Sequence, residues 1–378
     1  MKSEWTELPL GKIIDLVIDY RGKTPKKLGG DWSNTGYRAL SAKNIKTGRI
    51  VQTDTIRYVD ESLYQKWMKD EVRRGDILIT SEAPFGQIFY WDSDEKIVLS
   101  QRLFCIRVNP KYDARFIYYY MTTSAFQGEL AGRSTGTTVI GLRQPELMKC
   151  IIHIPSGENQ HRIASILASI DAKISANQKI NDNLEQQIEA IFNNKYAPSL
   201  CCPNWNVGTI GDVVTLQRGY DLPKDKMVPG SYPVAGSTDT IFYHNDYTTE
   251  APCVVMGRSG NIGKPRLYME RCWAHNTTLF VKDFKGNNPY WSYYMLRSID
   301  YSQFRGGSAV PTLNRNHVHS FEISIPPINQ QNEFGEIILP ILLLIENNRK
   351  EIKRLSTLRE ALLPKLMAGE IDISDIAL

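Results

Sequence analysis

The chain predicts an α+β fold in which two mixed α/β domains are separated by two long, antiparallel coiled-coil helices and related by an internal pseudo-two-fold repeat. Three observations predict it. Leu167, Ile170, Ile174, Asn177, Asn181, Leu184, Ile188 and Ile191 alternate steps of three and four, which places them on one stripe of a helix. The same steps recur at Ile338, Ile341, Ile345, Asn348, Ile352, Leu355, Arg359 and Leu362. The segments in front of the two runs also align without a gap: GTTVIGLRQPELMKCIIHIPSGENQHRI from Gly136 matches GSAVPTLNRNHVHSFEISIPPINQQNEF from Gly307.

Taken in order, residues 1–155 read as the first domain, with short β-rich runs such as DILIT at Asp76 and FCIRV at Phe104, and a compact aromatic helix from Phe116 to Met121. Residues 156–195 form the first long helix. Residues 196–203 are a linker, because Pro198 and Pro203 stop helix propagation. Residues 204–328 repeat the first domain: Trp5 matches Trp205, the Arg21-Gly22 turn matches Arg218-Gly219, Gly86 matches Gly263, and Phe116 to Met121 matches Trp291 to Leu296. Residues 329–363 form the second long helix, which Pro340 interrupts, and 364–378 form a C-terminal tail. The second domain leaves the C-terminal end of one helix and returns at the N-terminal end of the next, so an antiparallel pair keeps it compact. The tail then stands where Lys195 to Asn204 stands in the other repeat and packs beside the first domain. Asn177 and Asn348, at matched places in the two seams, set the register.

Composition narrows the function classes. A chain of 378 residues, 42% hydrophobic and 23% charged, holds two or three domains with real cores. A net charge of +4 permits a polyanionic partner without demanding one, so local clusters carry that question. Six cysteines without C-x-x-C spacing indicate neither a zinc ribbon nor a disulfide framework, and a reducing cytoplasm is the expected compartment. The apolar run Ile337 to Ile345 is too short to span a bilayer, so no membrane association is expected.

Basic residues gather at Gly-rich or Pro-bounded turns, where the backbone approaches a phosphate closely and Arg, Lys, Ser and Thr donate to it. The candidate phosphate-contacting set is Arg21, Lys23, Lys26, Lys27, Lys43, Arg133, Thr135 and Arg143 in the first repeat, and Arg218, Tyr220, Lys224, Arg258, Lys264, Arg305 and Arg315 in the second. Other chemistry is less well supported. GRSGNIGKP fails as a phosphate loop, because Arg258 stands where Gly is needed and Pro265 where Ser or Thr is needed. NNPYW at Asn287 resembles the base-holding loop of amino-methyltransferases, but its place at a helix start favours capping. His317 and His319 sit two apart on an expected strand and lack a third metal ligand. No catalytic centre, cofactor site or metal site is expected in this chain.

IPSGENQHRIASIL and IPPINQQNEFGEII, the entries to the two long helices, together with LREALLPKLMAGEI and the RGKTP and RGYDLP turns, resemble type I restriction-modification specificity (S) subunits along essentially the whole chain. The resemblance implies a non-catalytic subunit with two target recognition domains, each reading one half of a bipartite, asymmetric double-stranded DNA sequence. It further implies two methyltransferase (M) subunits using S-adenosylmethionine, and restriction (R) subunits using ATP and Mg. The seam from Leu167 to Ile191 is about 37 Å long at 1.5 Å per residue, close to the roughly 34–36 Å between half-sites on one DNA face. Two unlike half-sites about one helical turn apart are therefore expected. The competing readings are a specificity module of another DNA-modification system and a coiled-coil adaptor that binds proteins.

Overall fold

A computed structural model of the chain describes residues 5–134, 140–304 and 312–373. It divides into two compact units, one made of Met1–Ile174 with Arg354–Leu378 and the other of Ser175–Lys353. The division falls inside both long helices, Gly157–Lys195 and Ile328–Met367. Each unit therefore owns a stretch of each helix, and the helices are not a separate spacer module. The reason is burial: the helix ends complete the domain cores.

In the first unit a four-stranded antiparallel sheet has the order Ile14–Asp19, Leu103–Val108, Ile77–Thr80, Ile88–Tyr90. Beside it, Thr6–Pro9 pairs with Ile151–Ile154, and Tyr37–Leu40 lies between Arg57–Val59 and Ile97–Leu99. Ile163, Ala164 and Leu167 of the first long helix and Leu366 and Met367 of the second are buried with Phe104, Phe116 and Ile152 in one core. Each such Ile, Leu, Met or Phe side chain contributes about 1.5–3 kcal/mol when fully buried. Within this unit the helices pass antiparallel, with Asp171 2.7 Å from Arg359. Ile373 of the tail is buried in the same core, and Trp5 packs over Gly369, whose φ of +67° turns the chain out of the helix.

The second unit repeats the layout. Its sheet has the order Thr215–Arg218, Thr278–Asp283, Cys253–Gly257, Gly263–Tyr268, with Asn206–Thr209 paired to Glu322–Ile325. Ile188, Phe192, Phe334, Ile338 and Ile345 from the two helices are buried together. Here too the helices run antiparallel, since Lys195 meets Glu333 while Glu185 meets Arg349.

The buried seam carries an unexpected polar register. Asn348 donates to Asn181 Oδ1 at 2.9 Å, Asn181 donates to the Ile345 carbonyl, and Asn177 donates to Glu351 instead of meeting Asn348. Leu167, Ile170, Ile338 and Ile345 are buried, whereas Ile174, Leu184, Ile341, Ile352 and Leu355 are half-buried. Pro340 does not interrupt the second helix, nor does Pro364 end it: the helix runs unbroken to Met367. Both prolines are exposed, so the carbonyl each leaves unbonded faces solvent. The first long helix ends at Lys195, but Tyr196 and Ala197, the first residues of the expected linker, are core residues, and the Tyr196 carbonyl accepts from Trp291 Nε1 at 2.9 Å.

One buried glutamine per repeat explains the shared helix entry. Gln160 donates to the Pro155 carbonyl and accepts from the Asp113 N–H, and Gln331 does the same with Pro326 and Asn288. Asp113 and Asn288 in turn cap the helices Ala114–Met121 and Pro289–Arg297, each accepting from two backbone N–H groups. Asn288 is thereby committed to capping.

Candidate nucleic-acid interface

At one end of each four-stranded sheet, four segments far apart in sequence form a rim. In the first unit these are the turn after Asp19, Ser81-Glu82 after the strand Ile77–Thr80, Gln101-Arg102 before Leu103, and Gly141 to Gln144. Together they line an open cleft of about 1070 Å³. The frame is held by backbone bonds: Ser81 N–H donates to the Arg102 carbonyl at 2.9 Å, and Leu142 N–H to the Ser81 carbonyl at 2.9 Å. The second unit builds the same frame, with Arg258 N–H donating to Thr277 at 2.9 Å and Leu313 N–H to Arg258 at 2.8 Å.

The cleft gathers Arg21, Lys27 and Arg143 from the sequence-derived set. Arg21 has a positioning role: it forks onto Asp19 at 2.6 and 2.9 Å, donates to the Leu142 carbonyl at 3.3 Å and lies over the Phe104 ring. It thereby clamps the Gly141 segment to the sheet end. Lys27 donates to the Gly22 carbonyl and remains exposed, and Lys26 is exposed on the same turn. Lys23 donates to the Trp67 carbonyl at 2.7 Å beneath the Tyr20 ring, and burial, then the nearby Lys69, lowers its ammonium pKa. Lys43 is exposed on the turn Ala42–Asn44 and does not line the cleft. Arg133 pairs with Glu129 at 2.9 Å, and Glu129 also accepts the Ile151 N–H, a structural use of that pair. Thr135 and Arg305 lie outside the described residues, as do Gly136, Val139, Gly307 and Val310 of the sequence alignment.

In the second unit Arg218, Tyr220, Arg258 and Arg315 stand on or beside the frame. Arg218 lies 3.8 Å from Asp221 and reaches the Asn276 carbonyl at 3.5 Å. Tyr220 is exposed, and its hydroxyl accepts from Gln217. Lys224 is exposed on the turn Lys224–Lys226. Lys264 instead lines another open cleft with Asn261 and Arg266.

The sheet register corrects one match between the repeats. Asp19 lies opposite Phe104, and the equivalent partner of Leu279 is Arg218. Arg218 therefore stands where Asp19 stands, and the Arg-Gly turn comes two residues later in the first unit. The side chains not found by sequence are Ser81, Glu82, Gln101, Arg102 and Gln144 in the first rim and Asp221, Asn276, Thr277 and Asn314 in the second. The gapless alignment from Gly136 already paired Gln144 with Arg315. Arg102 gave no such signal, because it sits in an ordinary apolar-strand context.

His317 and His319 belong to the short helix Arg315–His319, not to a strand. Asn314 starts that helix by accepting the Asn316 N–H, and the strand begins only at Glu322. His319 Nε2 accepts the Leu216 N–H at 2.9 Å, so the ring is neutral. Burial, then Arg315 and Lys285, holds its pKa below the ordinary histidine value. An unfolded chain therefore binds this proton more readily than the folded one, and the second unit loses stability as pH falls below about 6.5. Met148 occupies the equivalent place in the first unit, against Gly11 as His319 is against Gly211. Hydrogen exchange corrected for intrinsic rate is expected to show protection around Leu216 falling between about pH 7 and 5, with the first unit's counterpart strand unchanged. Equal loss in both units would exclude His319 as the cause.

No helix among the described residues is long and apolar enough to cross a membrane. A family model described as "Type I restriction modification DNA specificity domain" matches residues 2–186 and again 203–357. The specificity subunit of the type I restriction enzyme MjaIX from Methanocaldococcus jannaschii is 25% identical over 345 residues, covering 80% of this chain and 79% of its own length. The EcoprrI specificity subunit from Escherichia coli is 21% identical over 369 residues, covering 89% and 87%. The crystal structure of a type I restriction-modification S subunit from M. genitalium shares the fold, with a TM-score of 0.65 at 16% identity over 96% of each chain. With two successive matches that together span most of its length, the chain belongs to the type I restriction-modification DNA specificity family.

Proposed function

We propose that this chain is the DNA-reading subunit of a type I restriction-modification assembly and that each rim reads one half of a bipartite, asymmetric duplex target. The observation that carries this is the twofold occurrence of one backbone frame with unlike basic and hydrogen-bonding side chains on it. Equal frames present equal platforms to a duplex, and unlike side chains discriminate unlike base edges. The chain itself is non-catalytic in this reading. Methyltransferase subunits bring S-adenosylmethionine, and restriction subunits bring ATP and Mg, in the cytoplasm.

Methylation mapping in cells that carry or lack this gene, with its partner subunits present, tests the proposal. The expected result is a bipartite methylated motif that vanishes with the gene. Persistence of the motif, or methylation by the purified chain alone, contradicts the reading. Binding of the assembled complex to its target is also expected to weaken steeply with salt, as counterion release requires. An apolar protein adaptor would lack that slope.

A further inference from the structure

We infer that Arg102 in the first unit and Arg258 in the second are base-selecting side chains, one for each half of the target. The inference rests on the DNA-reading role proposed above and adds the residues that set specificity.

Both units carry the same backbone frame. Its hydrogen bonds make Ser81 equivalent to Arg258 and Arg102 equivalent to Thr277. The gapless stretch that follows makes Arg143 equivalent to Asn314 and Gln144 equivalent to Arg315. At each of these four places one unit has an arginine and the other a neutral hydrogen-bonding residue. Contacts to phosphate are independent of sequence, so two equal frames performing only that task have no reason to permute their cations. Base edges differ between unlike half-sites, and a permuted set of donors suits them. Arginine presents a planar fork to guanine O6 and N7, which serine and threonine lack.

Backbone conformation and side-chain placement point to Arg102, and backbone anchoring points to Arg258. Arg102 has φ of +61°, a left-handed conformation that is costly for a residue with a Cβ. Glycine would adopt it without strain, and here the strained position instead carries an arginine side chain at the cleft. That side chain is half exposed over the cleft, and Glu82 contacts its Nε at 3.0 Å, a contact that orients the guanidinium. Arg258 follows Gly257, and its own N–H and C=O are both bound into the frame. A side chain on a fixed backbone loses less freedom when it docks. Arg102 meets its carboxylate through Nε alone, whereas Arg21 and Arg133 each bind a carboxylate through both Nε and Nη2 and are committed to clamping.

The test uses the full-length chain co-expressed with its partner subunits, with methylated motifs mapped for the wild type, Arg102→Thr, Arg102→Lys and Arg258→Ser. Arg102→Thr is expected to relax discrimination at one base pair of one half-site by about ten- to a hundredfold, with the other half-site unchanged. Arg258→Ser is expected to relax the opposite half-site. Arg102→Lys keeps the charge and loses the fork, so it is expected to relax the same position as Arg102→Thr; it decides the matter if the threonine variant fails to assemble. An unchanged motif overturns the inference, as does the same motif methylated less completely, which marks a phosphate contact. Relaxation of both halves by one variant overturns it too. A wild type without any bipartite motif overturns the proposed function instead, which keeps the two failures distinct.

Discussion

Replacing Gly257 by alanine is expected to disable the second rim while the first unit stays folded. A Cβ at Gly257 would stand 1.8 Å from the Asn261 carbonyl oxygen and 2.9 Å from that of Ser237. Both are backbone atoms, so no side-chain rotation relieves the clash, and the hairpin that carries Arg258 must move. The cost is about 3 kcal/mol or more, at or above the upper end for overpacking. The first unit supplies a control. Its equivalent residue is Thr80, which pairs with Leu103 as Gly257 pairs with Thr278, and whose hydroxyl accepts the Gln87 N–H at 2.8 Å. A side chain is therefore part of the hairpin there and is excluded here. Unit-resolved hydrogen exchange is expected to show lost protection along Cys253–Gly257 and Gly263–Tyr268, together with lost reading of one half-site. Unchanged protection in both strands would refute the steric argument.

Asp76→Ala is expected to produce the complementary loss in the first unit. The Asp76 side chain is 2% exposed and accepts from Arg107 at 2.7 and 2.8 Å and from the Arg73 N–H at 2.9 Å. Alanine leaves a largely buried guanidinium without its carboxylate, which costs about 3 kcal/mol, the lower end for breaking a buried pair because Arg107 keeps some solvent contact. For a unit of this size that corresponds to a fall of roughly 6–12 °C in its melting temperature. Replacing both partners with apolar residues, Asp76→Leu with Arg107→Met, is expected to recover part of the loss, since no buried charge is then orphaned. Calorimetry of the two variants and the wild type checks this. Equal melting of the single and double variants would mean that the pair is not the source of the stability.

Asp76 and Gly257 differ in how much of their role can be read along the chain. Asp76 stands at the start of DILIT, a visible strand, yet nothing nearby in sequence announces Arg107 as its partner. Gly257 belongs to GRSGNIGK, whose spacing attracts a phosphate-loop reading. Its actual constraint is an approach of backbone to backbone across a hairpin. Arg21 makes the same point for the candidate site: it stands in a basic turn, but the fork onto Asp19 and the bond to Leu142 make it a clamp. His319 stands in a stretch that reads as strand, and the Asn314 cap makes it helix.

The sequence by itself determined the duplication, the two long helices, the apolar seam and the family, because periodicity, helix-entry motifs and core burial are written in neighbouring residues. Only the tertiary structure decided which side chains share a rim, that Arg218 answers to Asp19 and not to Arg21, that Asn348 meets Asn181, and that the helix ends belong to the domain cores. Those outcomes depend on sheet register and on segments brought together from distant parts of the chain. A shift of one residue in such a register re-aims every side chain on the strand, and local pattern does not encode it.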